Sequence, residues 1–427
     1  MNTDKITGFF HNRVSPLVSK LGENYYLQTI TATMMATLGI VLIGSIAVLL
    51  MAFPIPSVTS FINSVELTPV LNAIHTYTIN GLSIYVAFLM AKNLTTKFLP
   101  NEDGNAAGIA SLMSFLVVTP LGNTVEEVAA IPTTWLGAQG LFSAIIIGLA
   151  VGRIFVFIKT KGWTIKMPES VPPMVSRVFE GLIPTIVIGI LFIIISWFFQ
   201  TTTYDNFHQF VYSIIQQPLT AIGGTLTAFL IATIVQQLLW FFGVHGTNVI
   251  IPIVTPIWIS MDMENLAALA AGEPLPHILG LTFFNVITWG GLGIGLVILM
   301  IISKSKQYKE LGKIALVPSL FGITEPLIFG TPLVLNFRLA IPFITNNAIT
   351  ITLAYLLIKF EIVSKFSGAQ AIFGLPLGFH ASVGGAMSII ILQLILQLVL
   401  SPILWYPWFK GLEKEALKRE LEEETAA

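Results

Sequence analysis

The chain lacks cysteine altogether and carries few charged residues. None of its 427 residues is a cysteine, which excludes disulfides, thiolate metal sites and a cysteine nucleophile on this polypeptide. Only 10% of the residues are charged, whereas a soluble domain has about 25%. The net charge of −1 indicates no nucleic-acid partner. The six histidines lack the HxH or HExxH spacing of a metal site, so the sequence predicts no metal or other cofactor.

Long apolar segments account for most of the chain. Hydrophobic residues make up 55% of it, and a helix needs roughly 20 apolar residues to span a bilayer. The sequence therefore predicts an all-α polytopic membrane protein with about ten transmembrane helices, at least one re-entrant hairpin and interfacial amphipathic helices. The predicted spans are residues 28–53, 68–92, 104–120, 136–158, 179–200, 223–242, 247–260, 276–302, 339–358 and 380–405. Pro252 and Pro256 are expected to break the short span 247–260, and Asp262 is expected to begin an outer loop that has no Lys or Arg.

Composition divides the chain into five segments. Residues 1–27 are predicted to form an amphipathic helix at the membrane surface, and residues 28–200 the first group of spans. Residues 201–222 form a connecting interfacial helix, residues 223–405 the second group of spans, and residues 406–427 a charged helical tail.

Basic residues indicate how the spans cross the membrane. Loops 54–67 and 121–135 contain no Lys or Arg, whereas the loops between and after them do. By the positive-inside rule this alternation places the amino terminus in the cytoplasm, and a later basic cluster places its own loop there too. The hairpin and two further spans follow this loop, so the carboxyl terminus is also predicted to be cytoplasmic. That cluster consists of Lys304, Lys306, Lys309 and Lys313. Lys359 and Lys365 are exceptions, because they fall on the nominally outer side.

The most unusual stretch is FGITEPLIFGTP at residues 321–332, which places Glu325 inside an apolar run. Three prolines and two glycines interrupt this run: Pro318, Pro326, Pro332, Gly322 and Gly330. Broken backbone at membrane depth needs cover from protein or a water-filled cavity, so we expect a re-entrant hairpin with Glu325 near its tip. A carboxylate at this depth is a functional candidate by default; the alternative is a structural glutamate that caps a broken helix end.

A second broken stretch, WFFGVHGTN at residues 240–248, contains His245 between two glycines. Gly243 and Gly246 allow the backbone to leave helical geometry, and Thr247 and Asn248 add hydrogen-bonding groups. Taken alone, such a histidine is more often a satisfied core residue than a ligand. Two interrupted hydrophobic segments together, however, are the best sequence indication of a transporter's binding site.

The polar and aromatic residues near these breaks suit a sugar. Its hydroxyls need directional hydrogen-bond partners, and its apolar ring faces pack on aromatic side chains. The predicted binding residues are Glu325, His245, Thr324, Asn248, Trp240, Asn285 and Trp289. Asn285 and Trp289 have an alternative role as contacts between helices. A carboxylate that faces a hydroxyl can also act as its general base.

The chain resembles the membrane-embedded IIC component of bacterial sugar phosphotransferase systems, most of all the lactose, cellobiose and diacetylchitobiose family. The resemblance rests on FGITEPLIFGTP together with LLWFFGVHGTNV at residues 238–249, and it extends to SPILWYPWFKGLEKE at residues 401–415. The chain departs from the pattern of that family at GGLG, residues 290–293, and at FGLPLGFHASVGG, residues 373–385. These departures leave the identity of the sugar open.

The resemblance implies a homodimer in the plasma membrane of a bacterium, with the first five spans at the dimer interface and the sugar bound in the later half. It implies import of a cellobiose- or diacetylchitobiose-type disaccharide coupled to its phosphorylation. The phosphoryl group would come from a cysteine on a separate IIB protein, since this chain has none. By the same resemblance, Glu325 contacts the hydroxyl that is phosphorylated and acts as its base, and His245 hydrogen-bonds and orients the sugar.

A different class of function fits the residues alone. A histidine and a glutamate in broken segments would equally serve a proton-coupled sugar symporter, in which Glu325 carries the proton and no partner protein is needed. The two classes differ in their product, which is sugar phosphate in the first and free sugar in the second. A channel fits poorly, because rings of charge or carbonyl filters are not evident.

Overall fold

Helices dominate the structure, a computed structural model that describes residues 8, 12–13, 15–52, 55–124, 127–168, 170–331, 333–371 and 374–426. The described helices, with their 3-10 and π segments, are Ser15–Gly22, Tyr25–Met51, Pro56–Ser64, Thr68–Thr78, Leu82–Phe98, Asn105–Val117, Thr133–Trp135, Ala138–Gly140, Leu141–Thr160, Pro173–Gln200, Phe207–Val211, Tyr212–Gln216, Gln217–Gly223, Leu226–Phe241, Gly246–Ala271, Leu281–Ile287, Trp289–Leu292, Gly293–Ile301, Lys306–Leu320, Glu325–Gly330, Ala340–Lys359, Phe379–Ser382, Met387–Ile395, Leu396–Leu400 and Ser401–Ala426. Strands in these residues are limited to one antiparallel pair, Gly122–Asn123 with Ala129–Ala130. The predicted all-α class is confirmed.

Eight of the described helices are long and apolar enough to cross a membrane, or nine if one bent pair counts as a span. The eight are Tyr25–Met51, Thr68–Phe98, Ala138–Thr160, Val175–Gln200, Gly246–Ala271, Leu281–Ile301, Ala340–Lys359 and Met387–Thr425. The bent pair is Phe207–Gly223 with Leu226–Phe241, at an angle of 73°. The chain is therefore a multi-pass membrane protein.

Two local differences explain why the structure has fewer long spans than the ten predicted. Predicted span 104–120 forms a helix of only 13 residues, Asn105–Val117, which is shorter than a bilayer crossing. Predicted span 223–242 is the second limb of the bent pair, and the predicted connecting helix 201–222 largely forms its first limb.

Residues 246–271 are more regular than the sequence indicated. We predicted a short span interrupted by Pro252 and Pro256, followed by an outer loop from Asp262. Instead, one helix, Gly246–Ala271, contains both prolines, and Asp262 lies within it and is buried. The predicted start of the loop was therefore wrong. Each interior proline removes a backbone hydrogen bond, and burial of the side chains that follow offsets this cost. These buried side chains are Trp258, Ile259, Met261, Met263 and Leu266.

The chain folds into two compact units. The first unit comprises Leu21–Ile222 and Pro252–Pro274. The second unit comprises Gly223–Ile251, Leu275–Ala427 and the described parts of Met1–Lys20. The second unit contains both of the broken stretches singled out above.

In the first unit, small residues let neighbouring helices approach closely. A Cβ atom on Gly148 would lie only 2.4 Å from the Cβ of Met90. Close backbone approach of this kind drives helix association in a bilayer, where apolar burial offers little gain. Lys159 is paired with both Glu102 and Glu180, so this mostly buried cation is neutralised by the protein itself.

The predicted amphipathic helix at residues 1–27 is described only in part. Ser15–Gly22 is helical, and a separate helix begins at Tyr25. Asn24 caps this second helix, because its side chain accepts hydrogen bonds from two backbone N–H groups of the first turn. Residues 1–7, 9–11 and 14 lie outside the described residues.

The two lysines that depart from the predicted charge pattern both have local partners. Lys365 Nζ donates a hydrogen bond of 2.5 Å to the carbonyl oxygen of Leu275, which lies in the segment after Ala271. Lys359 Nζ lies 5.9 Å from the centre of the Tyr355 ring. Local contacts with the protein thus accompany both lysines on the side that the topology prediction calls outer.

Candidate functional site

The helical span Leu281–Ile301 is broken near its middle. Gly290, Gly291 and Leu292 are consecutive residues with positive φ angles of 52°, 57° and 59°. Glycine adopts this left-handed region readily, whereas a residue such as Leu292 costs roughly 1–2 kcal/mol there. The break also deprives carbonyl groups of the partners that a continuous helix supplies.

Side chains of the last span satisfy these carbonyl groups. We call them the donor ladder, which consists of Gln393, Gln397, Ser401 and Trp405. The two amides donate to the carbonyl oxygens of Val286 and Trp289 at 3.2 Å and 3.0 Å. The hydroxyl and the indole N–H both donate to the carbonyl oxygen of Leu292, at 2.6 Å and 3.0 Å. The four residues repeat every four positions, so they share one helix face and hold the break in a defined shape.

Replacing Gln393 by Leu should destabilise this unit. Besides its bond to Val286, the Gln393 side chain accepts a hydrogen bond of 2.8 Å from the Gly378 N–H. Leucine would leave both backbone groups unpaired, at about 1–3 kcal/mol each, so we expect a clearly lower melting temperature for the detergent-purified protein. Ile391→Ala on the same helix is the control, because Ile391 is 51% exposed. Equal melting of Gln393→Leu and wild type would contradict the role of the ladder.

The predicted hairpin lies directly on the break. It consists of the arm Lys306–Leu320, a turn and the tip helix Glu325–Gly330. A Cβ atom on Gly322 would lie 2.8 Å from the Trp289 ring, and one on Gly293 would lie 2.9 Å from Cγ2 of Thr324. Glycine at these positions therefore allows the turn and the broken span to touch. Pro332, just after the tip helix, lies outside the described residues.

Replacing Gly322 by Ala should disturb the turn that precedes Glu325. The φ of Gly322 is 78°, and the added methyl group would meet the Trp289 ring. Backbone strain alone costs about 1–2 kcal/mol, and we expect lower thermal stability together with weaker binding of the predicted sugar ligand. Gly272→Ala is the matched control, because Gly272 has φ of 71° and nothing within 4 Å of the added atom. If both variants bind sugar equally well, the contact with Trp289 has no role in shaping the site.

Glu325 is the first residue of the tip helix, and its side chain is exposed. Its carboxylate makes no hydrogen bond or ion pair within the described residues, and the helix has no side-chain cap. The alternative role as a structural cap thus has no contact to support it. The start of a helix favours a negative charge, so the carboxylate is accommodated there without a cation.

His245 lies at the turn between the helices Leu226–Phe241 and Gly246–Ala271, and its side chain is exposed. Its ring centroid is 4.1 Å from that of Trp240. Its Nδ1 accepts a hydrogen bond of 3.3 Å from the Asn248 N–H, so the neutral ring carries its proton on Nε2. This nitrogen can donate to a ligand.

The other polar groups of this turn bind one another. Thr247 Oγ1 lies 3.2 Å from both Trp240 Nε1 and Gln236 Nε2, which donate to it. A Cβ atom on Gly246 would lie only 2.0 Å from the carbonyl oxygen of Gln236, so glycine is required at this close approach. Thr247 therefore fixes the Trp240 ring beside His245, and because its oxygen accepts both bonds, only its O–H is left to donate to a ligand.

The two broken stretches meet in the second unit. The Leu335 N–H, on the returning limb of the hairpin, donates a hydrogen bond of 2.9 Å to the carbonyl oxygen of Phe241. The Phe337 ring lies 5.2 Å from the Phe241 ring. A Cβ atom on Gly291 would lie 3.9 Å from Gln237 Nε2, so the break also adjoins the helix that leads to His245.

The remaining predicted residues differ in burial and in their distance from the break. Thr324 is half-buried with its methyl group near Gly290, Asn248 is exposed, and Asn285 is half-buried one turn before the break. Trp289 is buried behind the turn of the hairpin. Within the described ranges, no three His, Asp or Glu side chains form a group that could hold a metal ion.

One residue that our predictions omitted, His380, adjoins the site. Its ring packs against that of Trp289 at a centroid distance of 4.2 Å and an interplanar angle of 34°. Several buried polar atoms nearby have no hydrogen-bond partner within the described parts of the chain: Trp289 Nε1, His380 Nδ1, Ser319 Oγ, Gln236 Oε1 and Gln397 Oε1. Such atoms cost about 1–3 kcal/mol each when unpaired, so this region is suited to a polar ligand.

The architecture is that of a multi-pass membrane protein with its polar groups collected at broken spans, which is the class of a solute transporter. Residues 31–346 match the model of the family described as "Phosphotransferase system, EIIC". The chain belongs to this EIIC family of sugar permeases.

Individual relatives agree along nearly the whole chain. The lichenan permease IIC component of Bacillus subtilis (strain 168) is 33% identical over 439 residues, covering 98% of this chain and 96% of that protein. The crystal structure of the transporter ChbC, the IIC component of the N,N'-diacetylchitobiose-specific phosphotransferase system, matches with a TM-score of 0.88 at 32% identity. That match covers 96% of this chain and 99% of ChbC. The lactose-specific EIICB component of Lacticaseibacillus casei is 29% identical, covering 96% of this chain and 71% of that longer protein.

Proposed function

We propose that this permease imports a β-linked disaccharide of the cellobiose or diacetylchitobiose type and that import is coupled to phosphorylation of the sugar by a separate IIB protein. The observation that carries the proposal is Glu325, an exposed and unpaired carboxylate at the tip of a hairpin within an apolar protein. The names of the relatives, which refer to lichenan and to diacetylchitobiose, support a β-linked sugar.

The proposed chemistry assigns Glu325 the role of general base. A hydroxyl oxygen of the sugar attacks the phosphorus of phosphocysteine on IIB, and its proton passes to the Glu325 carboxylate. The phosphorus–sulfur bond breaks, and the thiolate remains on IIB. Transfer of this kind depends mainly on positioning the reacting atoms in line. The permease supplies the base and the orientation, and IIB supplies the phosphoryl group.

His245 is the proposed orienting residue. Its Nε2–H can donate to a sugar oxygen, because Nδ1 is occupied by the Asn248 N–H. Trp240 holds the imidazole by ring packing, and Trp289 with His380 offers N–H groups beside the turn. These groups supply the directional hydrogen bonds and flat faces that a disaccharide needs.

The assembly and location follow the same proposal. Residues 28–200 form the dimer interface of a homodimer, and residues 223–405 form the sugar-binding domain. The protein lies in the plasma membrane of a bacterium with both termini in the cytoplasm, where IIB docks. The existence of longer EIICB relatives supports IIB as the partner.

The chemical form of the imported sugar tests this function. Cells that express this permease, with or without IIB and the proteins that phosphorylate it, are given labelled cellobiose or diacetylchitobiose. Mass spectrometry then identifies the chemical form of the labelled sugar inside the cells. We expect a sugar phosphate that appears only when IIB is present. The alternative is a symporter with Glu325 as the proton site. It would be established if free sugar accumulates without IIB and this accumulation is lost when the proton gradient is dissipated.

A further inference from the structure

The carboxyl-terminal helix Ser401–Ala426 contacts both ends of the Glu325 hairpin. We call residues 303–307, before and at the start of the arm, the first foot, and Arg338, beyond the tip helix, the second foot. The sequence predicted only a charged helical tail after residue 405. In the structure, acidic side chains of this helix bind the two feet.

Glu413 is a buried carboxylate at the first foot, only 5% exposed. It accepts hydrogen bonds from the Ser303 hydroxyl at 2.7 Å and from the Lys304 N–H at 2.9 Å. Lys410 Nζ, one turn earlier, donates to the other carboxylate oxygen at 2.5 Å. A buried charge is tolerated only when it is paired and hydrogen-bonded. These three hydrogen bonds therefore stabilise the Glu413 carboxylate and attach it to the first foot.

Glu420 binds the first foot two helical turns further along. It accepts hydrogen bonds from the Ser305 hydroxyl at 2.7 Å, the Gln307 N–H at 3.1 Å and the Lys306 N–H at 3.2 Å. The two N–H groups belong to the start of the arm, where helical donors lack intrahelical partners. Glu420 therefore caps the arm, and its charge complements the helix dipole.

The second foot is bound by a different face of the same helix. Arg338 forms an ion pair with Glu415. Glu413 and Glu420 are seven positions apart and share one face, whereas Glu415 is two positions beyond Glu413 and points about 200° away. The two feet are thus attached to different faces of one rigid helix.

The arm connects the first foot to the tip. It is a 15-residue helix, so it is about 22 Å long and carries a displacement at its start to the turn that precedes Glu325. Trp405, on the same carboxyl-terminal helix, donates to the Leu292 carbonyl oxygen in the break, close to the contact between Gly293 and Thr324. A single helix thereby holds the feet and the surface on which the turn rests.

We propose that Glu413 and Glu420 are positioning residues that set the orientation of Glu325 through the arm. The inference rests on the proposed function, since it takes Glu325 as the group that acts on the sugar. When both acids lose their charge, the first foot loosens and the tip samples several orientations. Phosphoryl transfer falls as a result, because it requires the reacting atoms to be held in line.

The absence of cysteine permits a direct measurement of the tip. Nitroxide labels on Ile323→Cys and Ile231→Cys, two exposed positions of the second unit, report the tip position by pulsed electron paramagnetic resonance. E413Q/E420Q should broaden the distance distribution and, in the protein without labels, lower the rate of sugar phosphorylation about tenfold or more. E422Q is the matched control, because Glu422 pairs with Lys418 on the same helix.

A distance distribution and a rate in E413Q/E420Q equal to those of E422Q would overturn the proposal. If the double variant does not fold, the single variant E420Q decides, because Glu420 is only half-buried and its replacement should leave the protein folded. E420Q should broaden the distance distribution relative to E422Q, and an unchanged distribution would overturn the proposal. The distances between the two labels are measured without phosphorylation. If the wild type shows no donor-dependent phosphorylation, the proposed function is therefore rejected, whereas the effect of Glu413 and Glu420 on the tip is still measured.

Discussion

Replacing Glu325 by Gln should abolish donor-dependent phosphorylation of the sugar while the protein still folds. Glutamine retains the size of glutamate and much of its hydrogen bonding, but it cannot accept the hydroxyl proton. A general base contributes about 10²- to 10⁴-fold to such a rate, so sugar phosphate should fall below detection. Glu325 makes no hydrogen bond or ion pair within the described residues, so the change removes no structural contact.

The control for this variant lies on the same hairpin. Glu310 on the arm is an exposed carboxylate that pairs with Lys313 at 2.6 Å. With Glu310→Gln, the sugar should be phosphorylated at the wild-type rate. This control shows that the effect of Glu325→Gln comes from loss of the base and not from loss of any one carboxylate on the hairpin. Sugar affinity of Glu325→Gln, measured without the donor, should change by only a few fold. Normal phosphorylation by Glu325→Gln would reject its assignment as the base.

The second large effect is expected at His245. His245→Ala removes the Nε2–H that we assign to a sugar oxygen, and an unpaired hydroxyl in a desolvated site costs about 1–3 kcal/mol. The dissociation constant of the sugar should therefore rise by roughly 5- to 150-fold. Titration calorimetry on the purified protein without IIB measures this binding apart from phosphoryl transfer.

A conservative variant distinguishes the hydrogen bond from the packing of the ring. His245→Gln keeps a side-chain N–H donor but loses the ring packed 4.1 Å from Trp240. We expect it to bind sugar better than His245→Ala and less well than wild type. Unchanged affinity of His245→Ala would remove this residue from the site.

The hairpin could be predicted because its signals are local. Pro318, Pro326 and Gly322 interrupt an apolar run around a single carboxylate, and the structure has a helix, a turn and a short helix there. The same reasoning failed for Gly246–Ala271. Its two prolines predicted a break, but burial of the side chains that follow them keeps the helix continuous. Local chain-breaking signals are reliable only where tertiary packing does not override them.

The donor ladder could not be predicted from local pattern, because each bond joins residues more than 100 positions apart. A signal was nevertheless present, since Gln393, Gln397 and Ser401 recur every four residues in an otherwise apolar span. Polar groups at this spacing indicate a shared partner on one helix face. That partner is the broken span Leu281–Ile301, which includes the GGLG stretch that the sequence marked only as a departure from the family pattern.

The role of the carboxyl-terminal helix escaped prediction for a different reason. Its alternating charges are typical of a solvated surface helix, and nothing local distinguishes Glu413 from Glu422. Only the fold reveals that Glu413 is buried against the first foot, while Glu422 remains exposed beside Lys418. The residues that we propose to act on the sugar thus have local sequence signals, whereas the residues that we propose to position them have none.

The central claim is that sugar import and phosphorylation are one coupled process that depends on Glu325. The most direct test reconstitutes the purified permease in vesicles with labelled sugar outside and phosphorylated IIB inside or omitted. We predict that sugar phosphate is trapped inside only when the donor is present and that Glu325→Gln traps none. Free sugar that accumulates without the donor, driven by a proton gradient, would contradict the claim.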